Sequence, residues 1–207
     1  MNLPNPSASC PPSALAGLKL IVLDRDGVIN QDSAEYVKSP DEWIPLPGSL
    51  EAIARLNEAG WRVVVATNQS GLARGYFSME TLNAIHGKMR RLLHQAGGMV
   101  DAIFICPHGP DEGCDCRKPA PGLFRDIAQR YDVDLNGVPA VGDSLRDLQA
   151  SAQVGCAPWL VLTGNGDSTA RKPLPPGTRI ARDLADMVDQ LLAVRADAPS
   201  DSLSAAS

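Results

Sequence analysis

Apolar residues fall into short blocks that alternate with stretches of helical spacing. Leu18-Lys19-Leu20-Ile21-Val22-Leu23 is an apolar run halted by charge, and it predicts a buried strand. From Ser49 to Ala59, apolar side chains at Leu50, Ile53, Ala54 and Leu56 predict a helix, with Gly60 as its stop. Trp61 to Ala66 is β-branched and apolar, a second strand. Ser78 can cap a helix running to about Gln95, where Glu80 in the first turn suits the positive end of the helix dipole. Ala102 to Ile105 reads as a third strand, and Pro121 opens a helix to about Tyr131. Val138 to Val141 and Trp159 to Leu162 predict further strands, with a helix near Arg146 to Gln153 between them. Ala181 to Val194 predicts a last amphipathic helix.

Strands that alternate with helices predict an α/β fold, a Rossmann-like, mainly parallel sheet covered on both faces. Ligands of such sheets bind outside the carboxyl ends of the strands. Residues 1–17, rich in Pro, Ser and Asn, read as a disordered lead-in. Residues 196–207 read as a disordered Ala/Ser/Asp tail, leaving 18–195 as a single domain.

Composition narrows the function classes. The net charge of −5 argues against a general nucleic-acid binder, whose affinity rests on surplus Lys and Arg. It leaves room for a small phosphorylated substrate, since one lysine and one metal ion create a local positive pocket. No apolar run approaches the ~18 residues of a membrane helix, and no signal peptide is evident at the start. A cytoplasmic protein with no membrane partner is expected, acting as a monomer.

Polar clusters follow the predicted strands closely. Asp24-Arg25-Asp26-Gly27 comes directly after the first. Residues two apart in an extended segment point the same way, so both carboxylates can face one substrate. Such close like charges suit a hard cation such as Mg²⁺, although a helix cap or Asx-turn at Gly27 uses the same residues. Thr67-Asn68-Gln69-Ser70-Gly71 follows the second strand, where Thr67 can donate to a phosphate oxygen and backbone N–H groups can form an anion nest. Lys118 precedes the Pro121 helix as a compact positive charge for phosphoryl oxygens. Asp143, in Gly142-Asp143-Ser144 with Asp147 beyond, could complete a magnesium site or cap a helix. Each cluster alone also suits a loop, a cap or a solvated surface. Together they make an ordered set at successive strand ends.

Of the five cysteines, Cys10 lies in the lead-in and Cys156 near a buried strand, while Cys106, Cys114 and Cys116 fall within eleven residues. With His108 they offer three thiolates and one imidazole in one loop, a set that matches a closed, four-coordinate structural Zn²⁺ site. Free loop thiols, or a redox pair at Cys114 and Cys116, are the other readings. A full ligand set leaves no open position for water, so zinc would build the loop and hold Arg117 and Lys118, which follow the last ligand, over the substrate.

The strings LDRDGVIN, TNQSG, CRKP and VGDS, in that order, resemble the four motifs of the haloacid dehalogenase superfamily of phosphatases. That resemblance implies Asp24 as nucleophile and Asp26 as general acid and then base. It implies that Thr67 and Lys118 position and neutralise the phosphoryl group, and that Asp143, the Asp24 carboxylate and the Asp26 carbonyl bind Mg²⁺. The chemistry agrees: a carboxylate attacking phosphorus splits hydrolysis into two displacements, and the rest is positioning and charge neutralisation. Across roughly Leu18 to Gly166, RDGVIN, TNQSGLARGYF, the CPH…CDCRKP loop and VGD are similar to the branch that acts on heptose bisphosphates. The histidinol-phosphatase branch shares the zinc loop but typically carries GTL and NQDG at the corresponding places. The heptose branch implies removal of the C7 phosphate of heptose 1,7-bisphosphate. It further implies that Asp32 to Tyr36, with Asn68, Gln69 and Ser70, help hold substrate, that Arg117 recognises the sugar phosphate, and that the pathway is heptose biosynthesis for lipopolysaccharide.

About forty residues separate Asp24 from Thr67 and about fifty separate Thr67 from Lys118, intervals filled by predicted core elements and the zinc loop. Short loops rather than a cap domain are therefore expected to shape the pocket. Histidinol phosphate hydrolysis, a non-catalytic zinc-stabilised module, a nucleic-acid end phosphatase and a phosphorelay receiver are the competing readings. Four ordered catalytic-type motifs have no role in a binding module, and a receiver needs neither a second carboxylate nor a zinc loop.

Overall fold

The computed structural model describes residues 18–196. The segment 1–17, with Cys10, and residues 197–207 of the expected tail lie outside the described residues. The chain runs β1 (Leu20–Leu23), α1 (Ser49–Glu58), β2 (Arg62–Asn68), α2 (Met79–Gln95), β3 (Ala102–Cys106) and α3 (Gly122–Tyr131). It continues through β4 (Pro139–Gly142), α4 (Leu145–Ala152), β5 (Ala157–Val161), α5 (Gly166–Thr169), β6 (Arg179–Ala181) and α6 (Leu184–Ala196). All six strands form one parallel sheet in the order β3-β2-β1-β4-β5-β6. The chain moves outward from β1 to β3, then returns to the other side of β1 with β4. That reversal opens a crevice at the carboxyl ends of β1 and β4.

The sheet is buried on both faces, which is why its central strands are continuous apolar runs. Alternation splits them: Ile21 and Leu23 join one core with Val63, Val65 and side chains of α1, α2 and α6. Leu20 and Val22 join the other with Val64, Ala66 and side chains of α3 and α4. Helix α2 starts as its sequence predicts, with the Ser78 side chain accepting from the Thr81 N–H at 3.2 Å. Its inward stripe is Leu82, Ile85, Met89 and Leu93, with one polar member, His86.

Two expectations need correction. The sequence pattern puts Ala181 at the start of the last helix, but it ends the edge strand β6, and α6 begins at Leu184 and runs through residue 196. Three residues give no periodicity to read; β6 exists because β5 offers an open edge and the Arg179 guanidinium stacks 3.9 Å from the Trp159 ring centroid. Strand β2 also extends through Thr67 and Asn68, residues expected in the loop, because both pair with β3.

Leu56, without solvent exposure in the first core, and Ser78 test these assignments. Leu56→Ala is expected to lower unfolding free energy by ~2–5 kcal/mol and Ser78→Ala by ~1 kcal/mol. Both should appear in urea titrations as a shift of midpoint at unchanged slope.

Candidate active site

At the carboxyl end of the sheet lies a cleft of about 280 Å³, lined by Asp24, Asp26, Thr67, Lys118 and Asp143 from the ordered motifs. Asp32, Tyr36, Asn68, Gln69, Ser70 and Arg117 line the same cleft. Residues spread over 120 positions meet because each lies at, or in the loop beyond, the carboxyl end of a parallel strand. The Asp24 N–H donates to the Val141 carbonyl at 2.9 Å, so the β1–β4 ladder runs one step past Leu23 and sets Asp24 beside the turn that carries Asp143.

Lys118 is at the centre, 3 % exposed. Its ammonium lies 3.0 Å from Asp24 Oδ1 and 2.7 Å from Asp147 Oδ1, and donates to the Ala66 carbonyl at 2.7 Å. Burial by itself would lower the lysine pKa, but Asp147 and Asp24 outweigh it and hold the value above the ordinary one. Asp147 is likewise buried, yet Lys118 and the Ser144 hydroxyl keep its carboxyl below the usual range. The Asp24 carboxyl behaves oppositely. Burial pushes it up to about 7; Lys118 pulls it down, and the nearby Asp147, Asp143 and Asp26 push it up again. Burial, then Asp147, raises Asp143 to about 6, although the Asn165 N–H at 2.7 Å and side-chain amide at 3.1 Å favour its charged form.

Asp24, Asp143 and Asp147 each point a carboxylate oxygen into one small region. Asp147 is already engaged by Lys118 and by the Ser144 N–H and hydroxyl, which leaves Asp24 and Asp143 for a cation. Buried carboxylates with raised pKa values are the donor set that a hard divalent ion would ionise and neutralise. Gly27, at φ 78°, packs onto the Asp143 carboxylate together with Gly164; a Cβ at either position would strike it.

Asp26 has a different environment. Its carboxylate accepts from Arg25 Nε at 3.1 Å and Nη2 at 2.9 Å, from the Asn30 amide at 2.9 Å and from the Gln69 amide at 3.0 Å. The same Gln69 amide donates to the Thr67 hydroxyl at 3.0 Å, linking the ends of β1 and β2. Asn68 makes a paired contact with the Lys118 backbone, donating to its carbonyl and accepting from its N–H, both at 3.1 Å. Asp32 reaches the cleft from the loop after β1, where the Asn165 amide donates to it at 2.7 Å. Tyr36 adopts φ 67° and sets its ring 5.1 Å from that of Tyr76.

Beside the cleft, Cys106, His108, Cys114 and Cys116 converge. The Cys116 sulfur lies 3.1 Å from that of Cys106, 3.5 Å from that of Cys114 and 3.2 Å from His108 Nδ1, and Cys106 and Cys114 are 3.7 Å apart. A tetrahedron with ~2.3 Å Zn–S bonds has edges of ~3.7 Å, so the donors and their spacing fit a zinc ion. Burial, with the neighbouring thiols, pushes Cys116 up, and burial raises Cys106, while hydrogen bonds to the Arg117 backbone and to Cys116 and Cys106 outweigh burial at Cys114 and bring it down to about 7. A cation among these donors would favour the thiolate form of all three. The loop orients the next residues: Arg117 Nη1 donates to the His108 carbonyl at 3.2 Å. Cys156 is buried in the second core and is not one of the four converging donors.

Four residues of this region carried no assigned role in the sequence reading: Asp147, Asn165, Arg25 and His86. Asp147 was visible as the acid four residues after Asp143, but a first-turn Asp on a helix ordinarily reads as a cap, and it does form a capping box with Ser144. Asn165 and His86 follow no motif; only the fold brings them in.

Comparison with known proteins agrees with this geometry. A family model described as HAD-hydrolase-like matches residues 115–187, and one described as polynucleotide kinase 3 phosphatase matches residues 19–149. The chain is 73% identical over 176 residues to the D-glycero-beta-D-manno-heptose-1,7-bisphosphate 7-phosphatase of Bordetella bronchiseptica, covering 84% of this chain and 98% of that one. It is 58% identical to the enzyme of the same name from Pseudomonas aeruginosa, over 84% of this chain and 97% of that one. A crystal structure of the B. bronchiseptica D,D-heptose 1,7-bisphosphate phosphatase, complexed with magnesium and phosphate, superposes with a TM-score of 0.85 at 72% identity, covering 86% and 99% of the two chains. Identity this high, over nearly the whole of each relative, carries the assignment past the superfamily: the chain belongs to the D-glycero-β-D-manno-heptose-1,7-bisphosphate 7-phosphatase family of HAD-like hydrolases.

Proposed function

We propose that residues 18–195 form one phosphatase domain that removes the C7 phosphate of D-glycero-β-D-manno-heptose 1,7-bisphosphate through an aspartyl-phosphate on Asp24. The observation that carries this reading is the buried ion network of Lys118 with Asp24 and Asp147, with Asp143 beside it. Nothing in a structural core requires a 3 % exposed ammonium between carboxylates. A phosphoryl-transfer site does, since it must accept a dianion next to an anionic nucleophile.

In this mechanism the Asp24 carboxylate attacks phosphorus and the sugar oxygen leaves. Asp26, held by Arg25, Asn30 and Gln69, gives that oxygen a proton, then takes one from the water that opens the acyl phosphate. The Lys118 ammonium and the Thr67 hydroxyl contact the phosphoryl oxygens, and Asn68 fixes the Lys118 backbone. Asp24, Asp143 and the Asp26 carbonyl would hold Mg²⁺, which supplies positive charge against the phosphoryl oxygens and ionises the two raised carboxyls. Arg117 lines the cleft and would take the sugar phosphate, and Asp32, Tyr36, Asn68, Gln69 and Ser70, which line the same cleft, would hold the sugar. The Cys106, His108, Cys114 and Cys116 set would hold Zn²⁺ and so keep the Arg117–Lys118 segment in register. The polynucleotide-phosphatase family model matching residues 19–149 favours one second reading, a 3′-phosphorylated nucleic-acid end as substrate.

Phosphate release from heptose 1,7-bisphosphate, histidinol phosphate and a 3′-phosphorylated oligonucleotide, with Mg²⁺ present, tests the assignment. Rapid turnover of the bisphosphate, lost in Asp24→Asn, is expected; preference for either other ester would overturn the substrate. Because Mg²⁺ must displace protons from Asp24 (raised to about 7) and Asp143 (raised to about 6), its affinity should rise as pH climbs from 6 to 7 and level off above. Titration calorimetry at several pH values reads this directly, and a pH-independent affinity would contradict it. One zinc per chain is expected by elemental analysis. Its loss in Cys116→Ser should raise KM for the bisphosphate, with Arg117 released from its place on the His108 carbonyl.

A further inference from the structure

Arg25 is the residue between the two motif aspartates, and it is 1 % exposed. A buried guanidinium needs an acceptor for each direction of its fork. Nε and Nη2 point to the Asp26 carboxylate, at 2.9 to 3.1 Å. Nη1 points the other way, to His86 Nε2 at 3.3 Å. His86 sits on the otherwise apolar inner face of α2, among Leu82, Ile85 and Met89, and is 6 % exposed. Because arginine can only donate, His86 Nε2 must accept, which requires a neutral imidazole with its proton on Nδ1. Its environment enforces that form: burial first, then the charges of Arg25 and Arg90, lower its pKa to about 4.

We propose that His86 is a positioning residue for the phosphatase reaction: by accepting from Arg25 Nη1 it locks the guanidinium that orients the Asp26 carboxylate. Arg25 pivots between a rigid helix and the acid–base residue. With Nη1 anchored on α2, the Nε–Nη2 edge can present only one direction to Asp26. With Nη1 released, the guanidinium can rotate about its stem and carry Asp26 with it. Displacement of a catalytic group by ~1 Å can cost as much as ~100-fold in rate.

The inference rests on the reading of Asp26 as general acid, and its test separates the two. Departure of a sugar alkoxide needs a proton from Asp26, whereas departure of nitrophenolate, a weakly basic oxygen, needs little help. For Asp26→Asn, kcat/KM with Mg²⁺ should fall ~10²–10⁴-fold on heptose 1,7-bisphosphate and far less on para-nitrophenyl phosphate. His86→Leu should show the same signature in weaker form, a loss of about 10-fold or more on the sugar ester against about threefold or less on the aryl ester. His86→Gln, whose amide oxygen accepts from Arg25, should recover the sugar-ester rate. Equal losses on the two esters in His86→Leu, no loss at all, or failure of glutamine to rescue would each overturn the proposal. If Asp26→Asn itself fails to distinguish the esters, the general-acid reading falls and this inference with it. Should His86→Leu not fold, Arg25→Lys replaces it: lysine keeps the charge but cannot reach Asp26 and His86 together, so it should reproduce the leaving-group dependence, and loss without that dependence would refute the pivot.

Discussion

Lys118 is a permanent cation buried almost completely at the floor of the cleft, and the active end of the sheet is arranged to keep it there. A buried ammonium is costly unless its partners are charged and well placed. Asp147, Asp24 and the Ala66 carbonyl supply that environment from α4, β1 and β2. The two carboxylates are not equivalent. Asp147, bonded by Ser144 as well, stays below the usual carboxylate range, while Asp24 is driven up to about 7 by burial. One therefore serves as the standing counter-ion of the lysine, and the other is left chemically unsettled, which suits the nucleophile's role proposed for it. A divalent cation held by Asp24 and Asp143, as proposed, would complete the balance, since it would favour the ionised form of both.

The same constraint explains the neighbouring loop. Lys118 does not lie on a strand or helix; it follows β3 by twelve residues, and a loop of that length has no intrinsic reason to hold a side chain to within an ångström. Three contacts remove its freedom. Asn68 clamps the Lys118 backbone, Arg117 is tied to the His108 carbonyl, and the Cys106, His108, Cys114 and Cys116 donors draw the loop together. Cys106 is also the last residue of β3, paired with Asn68, so the cysteine–histidine cluster and the clamp share one strand end. The charged site, the zinc-type loop and the sheet register are thus one mechanical unit.

Much of this was legible beforehand, for reasons that differ by element. The buried strands read correctly because a sheet covered on both faces demands unbroken apolar runs, and α2 because its cap and its 3.6-residue stripe agree. Asp24, Asp26, Thr67, Lys118 and Asp143 could be collected because parallel topology converts strand ends that are distant in sequence into neighbours. The edge strand β6 was not legible. Its three residues have no pattern of their own and owe their conformation to β5 and to the stacking of Arg179 on Trp159.

Chemical type, order and spacing of the motif residues were properties of the sequence by itself, as was the grouping of three thiols and an imidazole, because these depend on local identity and on strand alternation. Which groups balance which charges was decided only by the tertiary structure. Asp147 reads locally as a helix cap, Asn165 as a loop amide, His86 as one polar residue on an apolar helix face, and Arg25 as a side chain between two acids. Each becomes part of the site through contacts to residues far along the chain or on another element. Electrostatics in a largely buried charge network depends on distances between elements, and those distances exist only after the sheet has formed.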